Sequence, residues 1–141
     1  MSFKILLVGD SGVGKTAFAE RHYTGEFVEV HKPDSFAHMY PLSFNNGSIY
    51  IDLWVIPKSD VRHFHNVDGV IMMYDMCEPS TMGSLLSIHD KVLETSPDAK
   101  VIVVGNKIDE ASYRGVKRRR YFDRGVEHIL YSAKSCHNWM K

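Results

Sequence analysis

Short apolar runs alternate along the chain with stretches whose apolar residues recur every three or four positions. Turn-forming residues bound several of the apolar runs, and their length and content predict strands. One long stretch has the apolar spacing of an amphipathic helix, with Leu85, Leu86, Ile88, Val92 and Leu93. The pattern predicts strands at 3–8, 40–44, 48–55, 69–74, 101–104 and 128–131, and helices at 16–23, 79–94 and 116–124.

The order of these elements indicates an α/β fold. Strands that alternate with helices form βαβ units, whose strands run parallel in one sheet. Asn45, Asn46 and Gly47 separate two strand-like runs, and Asn-Gly in this setting is a strong signal of a β-hairpin. We therefore expect a single domain over residues 1–141, with a mostly parallel central sheet and one antiparallel edge strand.

Charge gives no sign of a nucleic-acid or membrane-surface protein. The 141 residues include 17 basic and 17 acidic side chains, so no overall field attracts a polyanion. The basic run at 117–120 is read as a solvated helix face, in preference to a contact with an acidic partner or with nucleic acid.

Several sequence signals bear on where the protein acts. No apolar run is long enough to span a bilayer, and the sequence carries no pattern of a signal peptide or a prenylation site. Cys77 and Cys136 lack metal-site spacing and are read as reduced thiols. These features predict a soluble protein of the cytoplasm, the nucleus or both, without a membrane anchor.

Residues 9–16 match the phosphate-loop pattern G-x-x-x-x-G-K-[ST] without deviation, between a predicted strand and a predicted helix. Glycines let backbone N–H groups surround phosphate oxygens, and the helix N-terminus adds its positive dipole end. Lys15 is predicted to neutralise the β- and γ-phosphates, and the Thr16 hydroxyl to ligate Mg²⁺. The predicted phosphate-binding residues are Asp10, Ser11, Gly12, Val13, Gly14, Lys15 and Thr16.

Two short motifs at the ends of later strands predict which base is bound. The Asp109 carboxylate can accept two hydrogen bonds from N1–H and N2–H₂ of guanine, a donor pair that adenine lacks. The Lys107 stem can lie over the base, and the Ala133 N–H can donate to guanine O6. The predicted guanine-binding residues are Asn106, Lys107, Asp109, Ser132, Ala133 and Lys134.

These three motifs together resemble the Ras-like small GTPases, and further stretches are similar to the Ran branch of that family. The similarity to Ran lies in residues 21–27, Trp54, residues 105–109 and residues 132–135. The resemblance implies a P-loop small G domain that binds GTP or GDP with Mg²⁺. It also implies partners among Ran regulators and the receptors of nucleocytoplasmic protein transport.

The chain departs from the family at switch II, where the family reads Trp-Asp-Thr-Ala-Gly-Gln. Counting without a gap from Trp54, Val55 replaces the aspartate that holds a Mg²⁺-bound water. Lys58 replaces the glycine that meets the γ-phosphate, and Ser59 replaces the glutamine that orients the attacking water. The segment that follows is shorter than in the family, so we expect the switch II helix to be lost. No catalytic residue is identified, and Ser59 stands at the usual glutamine position.

Switch I and the end of the chain depart as well. Counting from residues 25–27, the family threonine falls on Asp34, and a slip of one residue would place Ser35 there. Asp34 would repel the γ-phosphate, serve as a second Mg²⁺ ligand beside Thr16, or lie in water in a disordered loop. The sequence stops seven residues after Lys134, so we expect the C-terminal helix of the family to be absent. The sheet face that this helix would cover is then apolar and open, which favours a homodimer.

The sequence therefore predicts a guanine-nucleotide-binding protein with altered switches and weak or absent intrinsic GTP hydrolysis. It would act through protein partners, in nuclear transport or in interference with it. One alternative is an active GTPase with a rearranged or partner-supplied catalytic apparatus. Another is an interaction module that binds no nucleotide.

Overall fold

A computed structural model of the chain describes residues 2–24, 38–56, 65–106, 127–132 and 137–140. Its strands and helices follow the predicted alternation. They are β1 (Ser2–Val8), α1 (Lys15–Thr24), β2 (His38–Phe44), β3 (Ile49–Val55), β4 (Gly69–Asp75), α2 (Ser80–Gly83), α3 (Leu85–Thr95), β5 (Lys100–Asn106), β6 (Glu127–Ser132) and β7 (His137–Met140).

The described strands form one sheet in the order β2-β3-β1-β4-β5-β6-β7. Neighbours from β3 to β6 pair in parallel, and β2 is antiparallel to β3, which confirms the mostly parallel sheet with an antiparallel edge strand. β7 pairs antiparallel with β6 and adds a second such edge that the sequence pattern did not predict. Four residues with no clear alternation give no strand signal alone, and β7 is defined by its pairing with β6.

The hairpin between β2 and β3 forms where the Asn-Gly sequence predicts it. Asn45, Asn46 and Gly47 have φ values of 53°, 55° and 86°, a region that asparagine and glycine enter more readily than other residues. Pro41 lies within β2, where a proline is tolerated because β2 is at the edge of the sheet. The turn chemistry and the edge proline therefore agree with the observed position of this hairpin.

Helices cover both faces of the sheet, and each face has its own apolar cluster. The α1 face includes Leu7, Leu53 and Val55, which pack with Ala19 of α1. The α3 face includes alternate strand residues such as Leu6, which pack with residues of α2 and α3. Central parallel strands are buried on both sides, which explains why they read as continuous apolar runs.

The helix predicted at 79–94 is divided at Ser84 into α2 and α3. Its apolar stripe is narrower than predicted: Leu85, Ile88 and Val92 are buried, whereas Leu86 and Leu93 are exposed. Positions 85, 88 and 92 lie three and four residues apart and share one helix face, so Leu86 and Leu93 fall outside it.

The structure describes only part of the regions in which the sequence predicts a helix at 116–124 and the loss of the switch II and C-terminal helices of the family. The predicted helix at 116–124 lies outside the described residues, as do residues 57–64 of the switch II region. Residues 65–68, which precede β4, are not helical, and residues 137–140 form β7. No helix among the described residues has both the length and the apolar content needed to cross a membrane.

Candidate nucleotide site

The phosphate loop occupies the turn from β1 into α1, so a strand enters and a helix leaves as predicted. Its tightest positions are Gly9 and Gly14, with φ values of 151° and 105°. A Cβ at Gly9 would collide with the backbone carbonyl of Met73, and one at Gly14 with the side-chain amide of Asn106. Glycine is therefore required here both by the backbone conformation and by the close approach of β4 and β5.

Lys15 begins α1, and its ammonium lies inside the loop. The side chain is 2% exposed. Its Nζ donates to the carbonyl oxygens of Gly9 at 2.6 Å and of Ile56 at 3.0 Å. A buried cation is stable only when polar groups surround it. The two carbonyls hold this charge between the ends of β1 and β3, beside the loop that would bind phosphate.

Asn106 is the last residue of β5 and is 2% exposed. Its side-chain amide donates to the carbonyl oxygen of Val13 at 3.0 Å, across 93 positions of sequence. The backbone carbonyl oxygen of Asn106 accepts from the Met76 N–H at 2.9 Å. The sequence predicts Asn106 as a guanine contact. The structure places its side chain against the phosphate loop, a role that no local spacing signals.

Asp75 ends β4 beside Asn106, to which it is register partner. Its carboxylate accepts a hydrogen bond from the Cys77 N–H at 2.8 Å, and its own N–H donates to Thr81 Oγ at 2.8 Å. These bonds shape the turn from β4 into α2. No sequence motif marks Asp75, although an aspartate whose side chain accepts from the N–H two residues later is a common turn signal.

The predicted site residues that the structure describes meet at one edge of the sheet. Residues 10–16 follow β1, Asn106 ends β5, and Ser132 ends β6. Carboxyl ends of parallel strands are where open α/β sheets bind ligands. Lys107, Asp109, Ala133 and Lys134 lie outside the described residues, and so do Asp34, Ser35, Lys58 and Ser59.

The described residues supply only part of the Mg²⁺ site that the resemblance implies. Mg²⁺ in nucleotide sites is held by one or two carboxylates as well as by phosphates and water. Val55, which the sequence predicts to replace the family's aspartate, is 1% exposed, as is Ile56, and the two side chains lie in apolar clusters on opposite sheet faces. Thr16 offers a neutral hydroxyl. Within the described ranges, no group of three His, Cys, Asp or Glu side chains could hold a metal ion.

A separate cavity of about 560 Å³ opens on the α1 face, at the end of the sheet away from the phosphate loop. Its walls are mainly apolar, and they include Asp68, which directly precedes β4, and Lys100, which begins the neighbouring strand β5. Phe44, in its wall, is 41% exposed. The cavity lies on an apolar sheet face, the kind of surface for which the sequence analysis predicts self-association.

His22 on α1 also borders this cavity and has an altered pKa. Partial burial lowers the pKa of His22 below its ordinary value, and the positive charge of Arg21 lowers it further. The imidazole packs against Phe18, with ring centroids 4.8 Å apart and planes inclined by 56°. These surroundings favour the neutral ring in the folded protein.

Comparison with models of protein families gives a match over nearly the whole chain. Residues 4–139 match the model described as the Ras family. The match includes the phosphate loop, Asn106 and the five parallel strands except the first two residues of β1, together with both segments predicted to recognise the base.

Proposed function

The chain belongs to the Ras family, and from that premise we propose that it binds guanine nucleotide at residues 9–16 and hydrolyses GTP weakly or not at all. Members of this family generally bind GTP or GDP with Mg²⁺. The observation that carries the proposal is the buried ammonium of Lys15, held beside a glycine loop at the N-terminus of α1.

The arrangement around Lys15 supports phosphate binding. The start of α1 adds backbone N–H groups and the positive end of the helix dipole. Asn106 fixes the loop from the opposite side through the Val13 carbonyl. A loop held on two sides is organised before the ligand arrives, which lowers the entropic cost of binding.

The choice of guanine rests on Asp109 and Ala133, with Lys107 and Lys134 as supporting contacts. The Asp109 carboxylate matches the two donors of the guanine edge, and with adenine it would lose both partners. Asn106 would then hold the base segment and the phosphate loop together, because it lies at the junction of the two.

Weak hydrolysis follows from the residues at and after the end of β3. The family positions that place water and stabilise charge carry Val55, Lys58 and Ser59. Loss of one such donor commonly lowers the rate by ~10²–10³. Changes at all three positions would bring intrinsic hydrolysis near the limit of detection.

The proposed role is that of a Ran-like binding protein acting on Ran regulators or transport receptors. It rests on the likeness of residues 21–27, Trp54, residues 105–109 and residues 132–135 to Ran.

We also propose that the chain forms a homodimer through the cavity on the α1 face. A two-fold arrangement could bring Asp68 of one copy to Lys100 of the other, and the zero net charge adds no overall repulsion.

Two alternatives lead to different measurements. A working GTPase would use Lys58, Ser59 or a residue from a partner to replace the missing groups. An interaction module would bind no nucleotide despite its loop. Both are separated from the main proposal by the nucleotide content of the purified protein and by its turnover.

The first experiment is to denature the purified full chain and identify the released nucleotide by chromatography. GDP or GTP in near-equal amount to protein supports binding, and absence of nucleotide favours the interaction module. Lys15→Met should abolish binding. Lys100→Met, an exposed lysine at the opposite end of the sheet, is the matched control. Single-turnover phosphate release as fast as that of an intact family member would refute weak hydrolysis and favour the working GTPase.

A further inference from the structure

We propose that nucleotide binding by this chain depends little on Mg²⁺, because the end of β3 supplies apolar side chains and gives its carbonyl to Lys15. This inference rests on the proposed guanine-nucleotide binding and adds a property that distinguishes this site from a Mg²⁺-dependent one. Lys15 then becomes the main positive charge facing the phosphates.

The sheet register fixes the end of β3 beside the phosphate loop. Val55 is the register partner of Leu7, two residues before Gly9, and the Ile56 N–H donates to the Leu7 carbonyl at 3.0 Å. Both side chains are 1% exposed and pack into opposite faces of the sheet. These two positions therefore offer a metal ion no side-chain oxygen.

The backbone oxygen at this point is already engaged. The Ile56 carbonyl accepts from Lys15 Nζ at 3.0 Å, and the Gly9 carbonyl accepts from the same ammonium at 2.6 Å. A hard divalent cation competing for either oxygen would have to approach a buried ammonium. The charge that would balance phosphate at this end of β3 is therefore the one on Lys15.

The buried carboxylate on the other side of β1 belongs to the turn into α2. Asp75 ends β4 at 6% exposure, and its Oδ1 accepts from the Cys77 N–H at 2.8 Å. Among the described residues that the resemblance assigns to Mg²⁺, Thr16 supplies one neutral oxygen.

Thermodynamic linkage turns this donor set into a measurable property. The factor by which Mg²⁺ tightens nucleotide binding equals the factor by which the protein tightens Mg²⁺ binding to the nucleotide. Mg²⁺ also gives up its waters reluctantly, so one hydroxyl adds little to what the phosphates already provide. The chain should then bind nucleotide almost equally well with and without the ion.

The test measures the dissociation constant of a fluorescent GDP analogue for the full chain by equilibrium titration, in Mg²⁺ and in EDTA. We expect the two dissociation constants to differ by less than about fivefold, the lower end of typical coupling between sites. A larger loss of affinity in EDTA overturns the inference while leaving guanine-nucleotide binding intact. Failure to bind the analogue in either buffer overturns the proposed function, and this inference with it.

Variants test the stated cause. Val55→Asp restores a carboxylate at the end of β3 and should make the affinity for the GDP analogue sensitive to EDTA, whereas the uncharged control Val55→Asn should not. A folded Val55→Asp protein that remains insensitive would overturn the explanation. If the buried aspartate prevents folding of Val55→Asp, the comparison of the parent protein in Mg²⁺ and in EDTA still tests the inference. If EDTA weakens binding of the GDP analogue to the parent protein but not to Asp34→Asn, Asp34 is a metal ligand and the inference is wrong.

Discussion

The side-chain amide of Asn106 donates to the carbonyl oxygen of Val13 and joins the end of β5 to the phosphate loop. Gly14, the next loop residue, lies against the same amide so closely that a Cβ would collide with it. The end of β5 and the phosphate loop are therefore packed as one unit. A change on either side of this contact should affect both the stability of the fold and its hold on nucleotide.

Replacing Asn106 with alanine should weaken the fold and the nucleotide site together. The buried Val13 carbonyl would lose its donor, which should lower the free energy of unfolding by about 1–3 kcal/mol. Nucleotide release should also accelerate, because the loop is no longer held. Urea unfolding and release of a fluorescent GDP analogue measure the two effects. Ser87→Ala, at an exposed position of α3, is the control, and equal behaviour of the two variants would contradict the role of Asn106.

Gly14→Ala should be strongly unfavourable, and Gly83→Ala should not. At Gly14 the φ of 105° and the contact with the Asn106 amide both oppose a side chain, at a cost of about 1–3 kcal/mol for the backbone alone. At Gly83, in α2, no heavy atom lies within 4 Å of an added Cβ. Thermal unfolding and nucleotide content of the two proteins test this pair. Similar losses in both would show that the loop geometry is not the cause.

Asp34→Thr should shift nucleotide preference toward GTP. A carboxylate about 4 Å from a γ-phosphate oxygen is repelled by roughly 4 kcal/mol at an effective dielectric of 20. GDP lacks that phosphate and escapes the repulsion. Competition between GDP and a non-hydrolysable GTP analogue, in the parent and in the variant, gives the ratio of affinities. An unchanged ratio would show that Asp34 does not set the preference between GDP and GTP.

Stability should fall with decreasing pH partly through His22. Burial and then the positive charge of Arg21 lower the pKa of His22 in the folded state below its ordinary value of 6.5. The unfolded chain therefore takes up a proton first as the pH falls below 6.5, and this favours unfolding until the folded pKa is reached. His22→Phe keeps a ring against Phe18 and should flatten the dependence of urea midpoint on pH below 6.5. His89→Phe on α3 is the control. The same slope in parent and His22→Phe would contradict the prediction.

Association through the cavity on the α1 face should depend on Phe44. This ring is 41% exposed in the wall of the cavity, so Phe44→Asp should return a homodimer to monomer. Tyr50 is 51% exposed and precedes Ile51, a cavity residue, so it points to the opposite sheet face. Tyr50→Asp is therefore the matched control in sedimentation equilibrium. A monomeric parent at all concentrations, or equal effects of both substitutions, would refute association at this face.

Local sequence patterns anticipated much of the architecture. The strand entering Gly9, the helix leaving from Lys15 and the hairpin at Asn45 all depend on residues within a few positions of one another. The narrow stripe on α3 and the strand β7 were harder to foresee. Whether Leu93 is buried depends on how α3 sits on the sheet, and β7 is defined by its pairing with β6.

The sequence by itself determined the phosphate-loop pattern and the parallel α/β class, and it predicts that Val55 replaces an aspartate of the family. The tertiary structure alone decided that Asn106 holds Val13 and that Lys15 reaches the Ile56 carbonyl. Spacing along the chain encodes backbone conformation and the face on which a side chain lies, because both have short periods. Contacts across 93 and 41 positions depend instead on strand order and register. Strand order and register are set by packing of the whole sheet, which brings the carboxyl ends of β1, β3 and β5 together.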